Sequence, residues 1–332
     1  MGQRVLMSDV AAFAGVSLQT VSRVVNGSNA VSEATREKVS HAIRTLGYRP
    51  NLAARTLAAG QSRALGVLIT GDVDFGMSSA FRAVEHAARE QNYYLCVATA
   101  SDPSRYGLAL GQLADQRVAG YIVLARSADV LSALAQQGAR LPSCLVLTGQ
   151  PATTSTAVVA VDQVAGMRLL VDHVIAQGAQ TLCHIAGDMS WDDAVVRATA
   201  FEQLCQERGV RGRVVAGGGW SAAAGYTAAN VVIESGLPDA ILACNDNIAL
   251  GVLRACHEAD IAVPDRLMVT GFDNTPLSEW TWPSLTSVTQ DFQALGTAAL
   301  TALTKILDGR APTQTILIPE LVARESTGKK GN

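Results

Sequence analysis

From Ala64 onward, short apolar runs alternate with stretches in which apolar side chains recur every three or four positions. ALGVLIT, YYLCVATA, GYIVLAR, SCLVLTG and AVVAVD form a first group of strand-like runs, and TLCHIAG, VVAGGG, AILACND and LMVTGFD a second. Helical stretches such as SSAFRAVEHAAREQ, VAGMRLLVDHVIAQG and NIALGVLRACHEAD lie between them. Apolar strands separated by helices predict parallel sheets covered on both faces, and so many units divide better into two lobes than into one sheet. Before Ala64 the pattern is helical only. A first helix is expected over Ser8–Ala14, with Val10, Ala11 and Ala14 inward. A tight turn at Gly15 leads to a second, capped by Ser17 and ending near Gly27, with Val21, Val24 and Val25 inward. The third starts at Ser32, buries Val39, Ala42, Ile43 and Leu46, and stops at Gly47.

Two short helices joined by a tight turn make a helix-turn-helix, whose second helix is shaped for the DNA major groove. That helix keeps Leu18, Gln19, Ser22 and Arg23 off its apolar face. Gln can bridge an adenine edge and Arg a guanine edge; the same residues equally suit an ordinary solvated helix face. The next segment, RPNLAARTLAAGQS, has Pro50 at a helix start and Gly60 as a stop, with Leu57 its one large apolar side chain. A helix so short is marginal alone in water, and an isolated Leu suits a wedge in the minor groove better than a core. Charge sharpens the contrast. Residues 1–60 hold seven basic and three acidic side chains, and the other 272 hold 19 and 26, so a head of +4 precedes a body of −7. That is the asymmetry expected of a nucleic-acid contact confined to one end.

Other classes find little support. Cys96, Cys144, Cys183, Cys205, Cys244 and Cys256 show no CxxC pair and read as buried free thiols. No signal peptide or apolar run of membrane-spanning length is visible, so a reduced, cytoplasmic protein without membrane contact is expected. The five histidines are scattered, and there is no GxSxG, Walker loop or HExxH, so no catalytic centre, metal or cofactor is expected.

The run DVAAFAGVSLQTVSRVVNGSNAVSEATREKVSHAIRTLGYRPNLAARTLAAGQS resembles the LacI/GalR family of bacterial repressors, and the similarity extends along essentially the whole chain. The resemblance implies that Leu18, Gln19 and Arg23 read bases, while Ser17, Thr20, Asn26, Ser32 and Tyr48 touch or position phosphates. It makes Asn51–Ala59 a hinge helix that folds on the operator, with Ala54 and Leu57 in the minor groove. Family members usually carry Thr where this chain has Leu6, so Ser8 is the alternative cap of the first helix. The implied architecture is α/β: a three-helix head at 1–49, a hinge and linker at 50–61, and a two-lobed periplasmic-binding-protein-like body at 62–332. The N-lobe would take about 62–161 and 291–320, and the C-lobe about 162–290 and 321–332, with ligand at the strand C-termini where the lobes face.

Several residues follow strands on that side. Trp191, Asp192, Asp193 and Arg197 come from AGDMSWDDAVVR, Trp220 from GGGW, Asn245 and Asp246 from ACND, and Asp273 and Asn274 from GFDN. Aromatic faces that stack on C–H surfaces, with charged groups that take paired hydroxyls, suit a polyol. Arg197 and Asp273 match effector-binding positions of the family, and Trp191, Trp220, Asn245 and Phe292 complete the expected contacts. For Asp193 and Asp246, helix capping and ligand contact are equal readings. Where a family member has Asn after the third strand and Asp after the fourth, this chain has Leu124 and Leu147, which removes polar sugar contacts from the N-lobe side. The expected protein is a repressor of a sugar-utilisation operon, released from a pseudo-palindromic operator by a small sugar. The alternative is a corepressor-dependent regulator that responds to a non-sugar metabolite. No Leu-heptad tail of the tetrameric kind follows ELVAREST, so a homodimer is expected.

Overall fold

In the computed structural model, residues 5–25, 28, 30–48, 62–136, 142–146 and 156–328 are described. Asn26, Asn51, Ala54, Leu57 and Leu147, and the whole hinge segment at 50–61, lie outside the described residues. The chain divides into two compact units, Met1–Ser62 and Arg63–Asn332.

The first unit holds α1 (Met7–Ala14), α2 (Leu18–Val25) and α3 (Glu33–Leu46). Their shared core is Val10, Ala11, Val21, Val39, Ala42 and Tyr48, flanked by Ala14, Val24, Val25, Ile43 and Leu46. Each helix is specified at its ends. Ser17 Oγ accepts the Thr20 amide at 3.1 Å, and Ser32 Oγ accepts the Thr35 amide. Gly15 ends α1 at φ 64°, a conformation that a side chain would strain, and so sets the turn into α2. The start of α1 departs from expectation. It is Met7 rather than Ser8, and Leu6 takes the cap position without an acceptor to offer. Only the reciprocal half of the capping arrangement forms, the Asp9 carboxylate accepting the Leu6 amide at 2.8 Å.

The second unit is built on two six-stranded sheets. One has the order β11-β5-β4-β3-β1-β2, with β1 at Ala64–Thr70, β2 at Tyr94–Ala100, β3 at Tyr121–Leu124, β4 at Ser143–Val146, β5 at Thr156–Val161 and β11 at Gln314–Leu317. It is flanked by α4 (Phe75–Glu90), α5 (Tyr106–Asp115), α6 (Val130–Gln136) and α11 (Phe292–Leu307). The other has the order β12-β10-β9-β8-β6-β7, from β6 (Thr181–Ala186), β7 (Arg211–Ala216), β8 (Ala240–Ala243), β9 (Met268–Asp273), β10 (Thr286–Thr289) and β12 (Glu320–Val322). Its helices are α7 (Gln163–Ala176), α8 (Asp192–Arg208), α9 (Ala222–Ser235) and α10 (Asp246–Glu258). All pairs are parallel except β10 with β12. β1, β3, β4, β5, β8 and β9 are buried along their whole length, which is why they read as continuous apolar runs. The chain passes between the sheets around residues 161–163, 289–292 and 317–320. Two of these crossings are tied by the Asp162 amide donating to Leu317 O at 2.8 Å.

Cys144, Cys183, Cys205, Cys244 and Cys256 are buried free thiols, and Cys96 is partly exposed. Among the described residues no helix is long and apolar enough to cross a membrane.

Candidate functional site

The strand ends of both sheets converge on a cavity with about 710 Å³ of empty space, its open mouth included. The β6–α8 connection brings Trp191, Asp193 and Arg197; Trp220 follows β7, and Asp273 ends β9. The N-lobe contributes Phe292 and Leu295 from α11, Asp74 and Met77 at the start of α4, Leu124 at the end of β3 and Arg126 after it. Five of the six residues expected at an effector site therefore meet in one place. Asn245 does not line it. Its Oδ1 caps α10 by accepting the Ile248 amide at 2.8 Å, and its Nδ2 donates to Trp220 O at 3.2 Å. The sequence signal for a ligand group and for a cap is the same here, a polar residue between a strand and a helix, and the cap is what forms. Asp246 takes neither expected role: its carboxylate accepts the Thr275 amide and the Ser278 and Ser287 hydroxyls at 2.6 Å each. Asp193 instead faces the cavity and pairs with Arg197 at 3.9 Å.

Arg197 is only 2 % exposed. Its Nε donates to Gln163 Oε1 at 2.9 Å, its Nη1 donates to Cys244 O at 2.6 Å, and its guanidinium lies 3.8 Å over the Phe272 ring. Burial works against its charge, while Cys244, Asp193 and Asp273 work for it with a net upward shift in pKa. Most of the fork is thus spent on holding the side chain rigid, and Nη2 is the corner nearest Asp193. Burial drives the Asp273 carboxyl well above the ordinary range, against the pull of the Arg197 charge. Its Oδ1 accepts from Gln290 Nε2 at 2.7 Å. The backbone at Asp273 has φ 102°, in the region that favours glycine, so strain is concentrated where the side chain enters the cavity.

The aromatic wall is equally constrained. Trp191 and Trp220 meet edge to face with ring centroids 5.5 Å apart. A Cβ on Gly187 would come within 2.6 Å of the Trp220 ring, so only glycine lets the indole lie against the end of β6. Phe292 meets Phe75 edge to face at 6.0 Å. Opposite the polar C-lobe, the N-lobe presents Met77, Ala80, Leu124, Val146 and Leu295, so the apolar character expected from Leu124 holds for that wall. Asp74, Gln163, Gln290 and Arg126 were not singled out by the sequence. All four lie within two positions of a helix or strand end, and the rule that found Trp191 and Trp220 reaches them when applied to both lobes.

The head carries its own surface. Leu18, Gln19 and Arg23 are exposed along α2, and Ser22 is half-buried beside them. Ser17 and Thr20 share a hydroxyl contact at 2.9 Å, as Ser32 and Thr35 do, so these hydroxyls are already engaged in capping. Tyr48, expected among the phosphate contacts, packs in the head core at 7 % exposure.

A helix-turn-helix head, in one chain with a two-lobed body that holds a small cavity, fits the class of nucleic-acid-binding regulators. Comparisons with known proteins agree. Residues 6–51 match the model for bacterial regulatory proteins of the lacI family, and residues 171–327 match a periplasmic binding protein-like domain. The chain is 32 % identical over 329 residues to the lactose operon repressor of Escherichia coli strain K12, spanning 97 % of this chain and 91 % of that protein. It is 30 % identical to the transcriptional repressor PurR of Histophilus somni strain 2336, spanning 96 % and 98 %. A solved lac repressor dimer, bound to operator and the anti-inducer ONPF, superposes with a TM-score of 0.87 at 31 % identity, covering 98 % of this chain and 99 % of that one. The protein belongs to the lacI family of bacterial regulatory proteins and is a DNA-binding transcriptional repressor rather than an enzyme.

Proposed function

We propose that this repressor binds a pseudo-palindromic operator as a homodimer in the cytoplasm, and that a small polyhydroxylated effector in the inter-lobe cavity releases it. The observation that carries the reading is the cavity itself. Arg197 and Asp273 stand where paired hydroxyls can be held, beside the Trp191–Trp220 pair that can stack on a sugar's C–H face. Relatives lend support in kind: solved structures include a Lac repressor bound to ONPG and a CelR–cellobiose complex. For the dimer, Leu277, Trp280 and Trp282 stand 60 %, 78 % and 83 % exposed in the single chain, and large apolar side chains so displayed suit contact with a second copy. On the head, Leu18, Gln19 and Arg23 would read bases, with Ser17, Ser22, Thr20 and Ser32 near phosphates.

The test uses the full chain. Its operator is selected from random duplex DNA, and that operator is then titrated in the presence of a panel of sugars. Release by one sugar, with the protein dimeric on the DNA, supports the reading. Operator binding that requires the ligand turns the switch into corepression, and binding insensitive to every occupant of the cavity overturns it.

A further inference from the structure

Two buried nitrogens lining the cavity have no hydrogen-bond partner among the described residues: Arg126 Nε from the N-lobe and Trp220 Nε1 from the C-lobe. Both groups can only donate. A buried donor left unpaired is costly, so two of them in one cavity, from opposite lobes, call for an occupant that brings acceptors.

Arg126 is held in place as a built element. Its amide donates to Thr70 Oγ1 at 2.9 Å, and its carbonyl accepts the Asp192 amide at 2.9 Å. The Asp192 carboxylate returns across the lobes to accept the Ala128 amide at 2.9 Å. The side chain then lies over Gly71 beside Trp191. A Cβ on Gly71 would meet Arg126 Cδ at 2.9 Å and Trp191 Cζ2 at 3.3 Å, so the absence of a side chain there makes the path.

The charge of Arg126 is unanswered by direct contact. It forms no ion pair among the described residues, and Asp102 senses it only as a charge at a distance. The cavity's own carboxylates are engaged elsewhere: Asp193 with Arg197, Asp273 with Gln290, and Asp74 with the Met77 amide at the start of α4. Burial raises the pKa of both Asp74 and Asp273. Around Arg126 the N-lobe wall is mainly apolar, so polar recognition on that side falls to its guanidinium and to Asp74.

We propose that Arg126 is an anion-reading arm of the cleft, and that the effector is a polyhydroxylated compound bearing an oxyanion, either a carboxylate or a phosphate. The inference rests on the reading of the cleft as a polyol site and narrows the ligand class. A planar guanidinium offering Nε and one Nη side-on to two oxygens is the pairing that a carboxylate or a phosphoryl group accepts. Trp220 Nε1 supplies a further donor from the facing lobe.

The experiment titrates the full-length protein, by tryptophan fluorescence and by calorimetry, with matched sets of probes. These are D-glucose and D-galactose, their uronates and aldonates, and their 6-phosphates. The uronate and aldonate arms test the carboxylate, and the 6-phosphate arm tests the phosphate. At least one acid is expected to bind about ten- to hundredfold tighter than its neutral parent, the scale of a charge-assisted bond. Arg126→Gln should erase that ratio, the acid losing far more affinity than its neutral parent, and Arg126→Lys should keep part of it. A neutral hexose that binds as tightly as its acids overturns the proposal. So does equal loss of both in Arg126→Gln, or the absence of saturable binding by every acid. Operator release is followed in parallel. A neutral hexose that releases DNA regardless of Arg126 sinks the anion assignment and spares the switch. An acid that binds through Arg126 without changing operator affinity does the reverse.

Discussion

Gln163 donates to Gln290 at 3.2 Å across 127 positions of sequence, and through this pair Arg197 is joined to Asp273. Gln163 Oε1 accepts from Arg197 Nε, and Gln290 Nε2 donates to Asp273 Oδ1. Each glutamine sits at a point where the chain passes between the sheets, so the two groups proposed to hold the effector are tied to the segments that connect the lobes. Both amides are buried, and their hydrogen bonds are made where water cannot substitute.

Gln163→Ala should therefore act twice. It leaves Arg197 Nε and the Gln290 carbonyl oxygen without their partner in a buried setting, a loss of about 1–3 kcal/mol in body stability. It also frees Arg197 to reorient, which should weaken effector binding more than it weakens folding. Urea melts beside effector titrations measure the two effects. Unchanged values in both would show that the relay carries no load.

The same relay marks the limit of what the sequence could say. β1, β3, β4, β5, β8 and β9 were legible because burial on both faces writes itself as unbroken apolar runs. β11 and β12 were not, since their exposed and half-buried residues carry no such run, and β10 is mostly Thr and Ser. Arg197, Asp273 and the two tryptophans could be found from their places after strands and from the family pattern. Gln163 and Gln290 also follow strand ends, but what makes them matter is a contact between distant crossings, which no local pattern records. Asn245 departs from expectation because capping and ligand contact draw on the same residue types at the same position.

Asp273 gives the body a pH dependence of definite sign. Its pKa in the folded chain lies well above its ordinary value, chiefly through burial, so the folded state holds the proton more tightly than the unfolded chain does. The stability linked to this group is present in full below the ordinary aspartate range and is lost as pH rises toward the raised value. Asp273→Asn, neutral throughout, should flatten that decline and leave the body more stable than wild type at neutral pH, while weakening effector binding. Thermal melts across pH 4 to 8, roughly the span above the ordinary Asp pKa, would show it. A steeper decline in the variant would refute the assignment.

The head offers a gain rather than a loss. Asp9 already accepts the Leu6 amide, yet Leu6 has no oxygen to complete the cap. Leu6→Thr should supply it and stabilise the head by about 0.5–2 kcal/mol, whereas Ser32→Ala should cost a similar amount by removing the acceptor for the Thr35 amide. Hydrogen exchange of amides in α1 and α3 separates the two effects. Equal protection in both variants would mean that tertiary packing alone sets these helix starts.

On the reading face, Arg23 is exposed near the end of α2. Arg23→Ala should cost about 1–3 kcal/mol of operator affinity and relax the choice of base at one position in each half-site. The steep salt dependence should remain, because it comes from phosphate contacts elsewhere on the basic head. Binding that weakens evenly across all sequences would reassign Arg23 to the backbone.

Arg197 tests whether effector and operator are coupled through the cavity. The bonds to Gln163 and Cys244 and the stacking on Phe272 mean that truncation does more than remove a ligand contact. Arg197→Ala should destabilise the body by about 2–5 kcal/mol, because buried acceptors and the Asp193 and Asp273 carboxylates lose their cation. Arg197→Lys is the cleaner variant, since it keeps a charge and loses the planar fork. The arginine and the recognition helix belong to different compact units. Operator affinity of the Lys variant should therefore stay within a few-fold of wild type, while release by effector disappears. A coupling of about 1–3 kcal/mol is the ordinary size for such a switch, and it is reciprocal, so operator DNA should weaken effector binding to the wild type by the same factor and leave the Lys variant unaffected. Effector titrations with and without operator, on both proteins, give all four affinities. If the Lys variant releases operator as readily as the wild type does, the coupling runs through groups other than Arg197.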